Sequence, residues 1–144
     1  MPERVTHDID IAIRVSDSTE VRRRLKAAGF DYEGELSIGC SSWTSPDGTV
    51  IDVIEGEDSW WTEALAEAQS NRDLQGLPVL PLRFLVLMKF QAGRVQGFAD
   101  VTRMLGQTDE ESLMAIRSLF AKIVPGDRKD LESLIALGKL EMQS

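Results

Sequence analysis

The stretch "RVTHDIDIAIR", residues 4–14, alternates strictly over its second half: Ile9, Ile11 and Ile13 fall to one side, Asp8, Asp10, Ala12 and Arg14 to the other. A period of two makes this a β-strand, with an isoleucine face for a core and an opposite face that carries charge. Two carboxylates one residue apart in this phase point the same way. At neutral pH they repel unless water or a cation lies between them, and hard divalent cations such as Mg²⁺ are held by carboxylate oxygens of this kind. A solvated strand face with two exposed acids is the other reading of the pair taken alone.

Working outward, "DSTEVRRRLKAAG" (17–29) predicts a short amphipathic helix. Asp17 and Glu20 form a capping-box pattern, Val21, Leu25 and Ala28 share a face, and Gly29 is the stop. "ELSIGCSSWTSPDGTVIDVIEG" (35–56) reads as two strands joined at "SPDG", where Pro46, Asp47 and Gly48 supply turn chemistry. In the second of these strands Val50, Asp52 and Ile54 share one face and Ile51 and Val53 the other. A third acid thus stands inside an otherwise apolar strand. From residue 59 the periodicity is helical: a helix in "SWWTEALAEAQS", one from Pro81 through "LRFLVLMKFQAG", one after Gly97 in "QGFADVTRMLG", one in "TDEESLMAIRSLFAKI" with a Thr108/Glu111 capping box, and one in "DRKDLESLIALGKL". The expected class is α/β (α+β), a small mixed sheet followed by a helical C-terminal half.

Composition restricts the function. Sixteen basic against 24 acidic residues leave a net charge of −8, which argues against a protein that coats nucleic acid through a general basic surface. One cysteine, Cys40, forms no internal disulfide, and one histidine, His7, is too few for a Cys/His zinc site or a histidine-activated hydroxyl. The most apolar run, "LPVLPLRFLVLMKF", is broken by Pro78, Pro81 and Arg83, so no membrane span is expected. The N-terminus has no apolar signal segment, and a cytoplasmic protein is expected.

The order Arg4-x-Thr6-x-Asp8-Ile9-Asp10, a helix, the strand "TVIDVIEG" with Asp52, and the later "LMKFQAGRVQGFADVTRML" resembles the nucleotidyltransferase superfamily with the DNA polymerase β type of catalytic fold. Within it the pattern is similar to the minimal nucleotidyltransferases of bacterial toxin–antitoxin and abortive-infection systems. The resemblance covers residues 1–106, a nucleotidyltransferase-like domain, and leaves 107–144 as a helical extension packed on it. Its specificity lies in the combination, since an acid-x-acid alone recurs by chance.

The resemblance implies transfer of a nucleoside monophosphate from a nucleoside triphosphate to a hydroxyl on a protein, a tRNA or a small molecule, with Mg²⁺ or Mn²⁺ as cofactor. Asp8 and Asp10 would carry the cation that binds the nucleotide. Asp52 would share a second and lower the pKa of the acceptor hydroxyl. Such chemistry needs a divalent cation to orient the triphosphate for in-line attack and to stabilise charge on the attacking and leaving oxygens. Arg4, Thr6, Lys89 and Arg94 are the implied nucleotide contacts. Read as residues, Arg4 and Thr6 equally suit a surface before a strand, and Lys89 and Arg94 equally suit surface cations lying along a helix. The nucleic-acid acceptor is disfavoured by the acidic balance.

Two departures qualify the pattern. The family carries, upstream of the Arg-x-Thr-x-Asp-x-Asp stretch, a strand, a helix and a Gly-Gly or Gly-Ser turn whose N–H groups cradle the triphosphate. Here Met1 stands three residues before Arg4, so either the start is assigned too late or this is a shortened member, and the chain as given is expected to have little or no transfer activity alone. Gly97 also takes the place where an acid often follows the glutamine matching Gln96. The rival expectation is an inactive module of the same fold that works by binding a partner. An uncovered sheet edge near Ile9 and Ile11 predicts a homodimer or a dedicated partner protein. Trp43, Trp60 and Trp61 are expected in the core, Cys40 as a small buried residue, Asp100 in a structural role, and "VRRRLK" on a solvated helix face.

Overall fold

The computed structural model describes residues 8–37, 39–92 and 98–143. Two compact units divide the chain between Leu65 and Ala66. The expected α+β class is what these residues form, a four-stranded mixed sheet followed by helices.

In the first unit β1 (Asp8–Arg14) leads through a 3-10 turn (Val15–Asp17) into α1 (Ser18–Ala27), followed by β2 (Asp31–Ser37), β3 (Cys40–Thr44) and β4 (Val50–Gly56). The sheet order is β1-β4-β3-β2. β1 runs parallel to β4, whereas β3 is antiparallel to both β4 and β2. One face of the sheet is filled by Trp43, Ile51 and Val53, with Ile11 and Ile13 from β1 and Val21, Leu25 and Phe30 from α1 and its exit packed on them. The alternation seen in the sequence thus sends Ile11 and Ile13 into the core, while Ile9, on the same face, stays exposed. Trp43 is wholly buried, and its indole N–H donates to the equally buried Ser41 hydroxyl at 3.0 Å, which satisfies the one polar atom that its burial would otherwise strand.

The turns hold this arrangement. Gly29, at φ +88°, lets the chain leave α1 with the Phe30 N–H bonded back to the Leu25 carbonyl at 2.9 Å, which turns Phe30 into the core. Between β3 and β4 the Asp47 carboxylate accepts from the Ser45 hydroxyl, the Thr49 N–H and the Thr49 hydroxyl. These donors hold its pKa down at about 2. At the far end of β4, a Cβ on Gly56 would stand 2.3 Å from the ring of Trp61, so only glycine admits that indole. The Trp61 N–H then reaches the Ile13 carbonyl of β1 at 2.8 Å.

Three local expectations are corrected. Asp17 is the N-cap of α1 but makes no side-chain cap bond: it closes a 3-10 turn with αR backbone instead of the extended backbone that aims a capping side chain at the first-turn N–H groups, and Glu20 instead takes Arg23 and Arg24. Residues 35–44 are two antiparallel strands rather than one, with Gly39 at φ +78° between them. The cap of α5 (Glu110–Ile123) is Asp109, which accepts the Ser112 N–H at 2.7 Å. The Thr108 hydroxyl is occupied by the Met104 carbonyl at 2.6 Å, one turn back in the preceding helix.

α2 (Ser59–Ala68) carries the chain across the boundary, with Trp60, Trp61, Ala64 and Ala68 buried. In the second unit α3 (Leu82–Ala92), α4 (Phe98–Gly106), α5, a 3-10 turn (Pro125–Asp127) and α6 (Arg128–Gln143) enclose a core that includes Phe84, Leu87, Phe90, Leu105, Ile116 and Phe120. Phe90 and Phe120 meet edge to face at 5.2 Å. α4 and α6 cross at Gly106 and Gly138, where no side chain fits between the two backbones.

Candidate functional site

The parallel register of β1 and β4 sets Asp10 against Asp52 and Asp8 against Val50. Partners in register project to the same side of a sheet, so Asp8, Asp10 and Asp52 share the face opposite the Trp43 core. Strand spacing is about 4.8 Å, which makes Asp10 and Asp52 immediate lateral neighbours. Continuing across the sheet, Asp52 is paired with Ser42 on β3, and Ser42 with Gly34 on β2. The row Asp10, Asp52, Ser42, Gly34 therefore runs from two carboxylates to a hydroxyl and then to a position without a side chain. Asp8 leads the row before it, through Val50 and Thr44 to Asp31.

Asp10 is exposed, whereas Asp52 is half-buried with its Oδ1 closed off from solvent. Each takes part in hydrogen bonding or an electrostatic interaction within the chain. An exposed and a half-shielded carboxylate on adjacent strands suit a hard cation, because oxygen ligands from both strands can face it while one side stays open to a substrate. Asp8 is described by its backbone, which places it two residues before Asp10 on the same face. Among the described residues no group of three His, Cys, Asp or Glu side chains gathers to hold a metal, so the described pair is Asp10 and Asp52.

The other expected contacts are distributed differently. Lys89 is half-buried on α3, in the second unit. Arg4, Thr6 and Arg94 lie outside the described residues. Trp43, Trp60 and Trp61 are all buried, as expected of core residues, and Cys40 is half-buried. Asp100 is exposed in the first turn of α4 and pairs with Arg103 at 3.7 Å. The α1 arginines are engaged within the first unit: Arg22 donates to Glu35 at 2.8 Å and Glu55 at 3.4 Å, while Arg23 and Arg24 pair with Glu20. The bond to Glu35 raises the pKa of Arg22 further.

Ser42 and Gly34 carried no signal in the sequence. Their place beside Asp52 depends on pairings between distant segments, which neither residue type announces. The surplus of acid over base also falls wholly within residues 1–65, and the two are balanced from residue 66 onward. The acid face thus sits in a unit whose own field attracts cations. No helix among the described residues is long and apolar enough to cross a membrane. No protein-family profile matches the chain, and no curated protein matches it.

Proposed function

We propose that this chain is a metal-dependent nucleotidyltransferase that moves a nucleoside monophosphate from a nucleoside triphosphate to a hydroxyl acceptor, in the setting of a toxin–antitoxin pair. The observation that carries the reading is the in-register placement of Asp10 beside Asp52 on parallel strands, with Asp8 on the same face. Asp8 and Asp10 would bind the cation of the nucleotide, and Asp52 would orient the acceptor hydroxyl and draw off its proton. Bound Mg²⁺ would supply charge neutralisation at the triphosphate and the leaving pyrophosphate. The acid surplus around the sheet favours a protein or small-molecule hydroxyl over RNA as acceptor.

The test is incubation of the protein with each α-labelled nucleoside triphosphate, Mg²⁺ and cell extract. Label transfer that disappears in Asp10→Ala and in Asp52→Ala is expected. Mg²⁺-dependent nucleotide binding without transfer would establish the non-catalytic module instead. Absence of both nucleotide and metal binding in the folded protein would overturn either form.

A further inference from the structure

The two edges of the sheet are built differently. β2 loses register against β3 twice, between Tyr32 and Gly34 and between Glu35 and Ser37, and it carries Asp31, Glu33 and Glu35. Bulges are a device by which an edge strand resists pairing with another chain; charge does not separate the two edges, since β1 carries Asp8, Asp10 and Arg14. β1, the opposite edge, stays in unbroken register with β4 over all seven residues, contains no proline, and leaves Ile9 49% exposed.

The order of residues along β1 is complementary to its own reverse. Turned about Ile11, the midpoint of Asp8–Arg14, the strand places Ile9 opposite Ile13 and Ile11 opposite Ile11 on one face. On the other face Asp10 meets Ala12, and Asp8 meets Arg14. The apolar face becomes a continuous isoleucine ladder, and the strand's one cation meets an acid at each end. A pivot at Asp10 would set Asp10 against Asp10 and leave two residues of β1 unpaired, so Ile11 is the register that uses the whole strand. The Trp61 indole already fixes the Ile13 carbonyl, which keeps a second lone pair for a ladder bond.

We propose that the β1 edge pairs antiparallel with β1 of a second copy of this chain about a two-fold axis at Ile11, joining two four-stranded sheets into one. Each acid face then receives Arg14 of the second copy beside its Asp8, a cation that a single chain places three rows away. This inference stands on the edge alone and holds whether or not the acid face transfers nucleotides.

Light scattering across the micromolar range is expected to show a dimer. In a Cys40→Ser background, Ile11→Cys is expected to form an intermolecular disulfide, because residues across a strand pair at the axis lie within disulfide reach. Ile9→Cys is not, because its own copy lies four residues along the partner strand, about 13 Å away. Arg14→Asp should shift the protein toward monomer, and Asp8→Arg combined with Arg14→Asp should restore the dimer. Circular dichroism confirms that each variant is folded. A monomer throughout the range, or a dimer that Arg14→Asp leaves intact and that Ile11→Cys does not cross-link, would overturn the proposal.

Discussion

Asp10 and Asp52 are register partners on adjacent parallel strands and project from the same face of the sheet. Like charges set directly opposite destabilise a sheet, and a fold that tolerates them there stores that cost for a ligand that relieves it. Asp10→Asn should therefore raise the melting temperature in the presence of a chelator. A gain of about 1 kcal/mol corresponds to about 3 °C for a chain of this size. With millimolar Mg²⁺ the order should reverse, since the wild type gains by mass action and the variant does not. Thermal unfolding of both proteins, with EDTA and with Mg²⁺, gives the comparison. A variant less stable than wild type under chelation would show that the carboxylates do not repel.

The acid face was legible because alternation alone assigns Asp8 and Asp10 to one side of a strand and Asp52 to one side of another. That the two strands are neighbours, parallel, and in register at Asp10 and Asp52 is a non-local fact, which alternation within each strand does not carry. β2 was not separated from β3, and its first half was missed, for a local reason. "DYEGELS" holds three acids and a glycine, residue types depleted in strands, and it forms a strand only as a twice-bulged edge on β3. Asp17 stands at the N-cap of α1 where the pattern puts it, but the αR backbone of the 3-10 turn leaves its side chain without a cap bond, and the cap of α5 falls one residue after Thr108, whose hydroxyl the Met104 carbonyl already holds.

Asp47 supplies a pH prediction. Its pKa falls from 3.8 to about 2 because the folded turn surrounds the ionised carboxylate with the Ser45 hydroxyl and both donors of Thr49. A depressed folded pKa gives stability that is complete above the unfolded value and is lost as pH falls through the folded one. Asp47→Ala should therefore be less stable than wild type at neutral pH, and the difference should shrink below pH 3.8 and vanish near pH 2. Urea unfolding of both proteins as a function of pH reads this directly. A difference that is constant with pH would assign the effect to turn geometry instead of charge.

Trp43 and Ser41 form a buried polar pair inside the core of the first unit. Trp43→Phe removes volume and leaves the Ser41 hydroxyl without its donor, and an unsatisfied buried group costs about 1–3 kcal/mol. Ser41→Ala added to Trp43→Phe should recover part of that loss, because the stranded oxygen is gone. Denaturant unfolding of the two singles and the double measures the coupling. Strict additivity would show that the indole N–H to hydroxyl contact contributes nothing.

Gly106 and Gly138 give the sharpest packing prediction, because intrinsic propensity and tertiary contact point in opposite directions. Within an exposed helix, Gly→Ala stabilises by about 1 kcal/mol through propensity. At Gly138, however, a Cβ would stand 2.3 Å from the Thr102 carbonyl oxygen and 2.8 Å from the Gly106 nitrogen. Both are backbone atoms, so no rotamer change relieves the contact, and α4 and α6 must separate. Overpacking of this kind costs about 1–3 kcal/mol, so Gly138→Ala should be net destabilising by about 1–2 kcal/mol once propensity is offset. Gly126, where nothing lies within 4 Å, is the control, and Gly126→Ala should be close to neutral. Gly106→Ala meets the Gly138 carbonyl from the other side at 2.4 Å, so it loads the same crossing. Because one displacement of the helices accommodates both methyl groups, the double variant should lose less than the sum of the singles. Equilibrium unfolding of the wild type and the four variants decides this, and a Gly138→Ala that matches or exceeds wild-type stability would mean that α4 and α6 do not touch at these glycines.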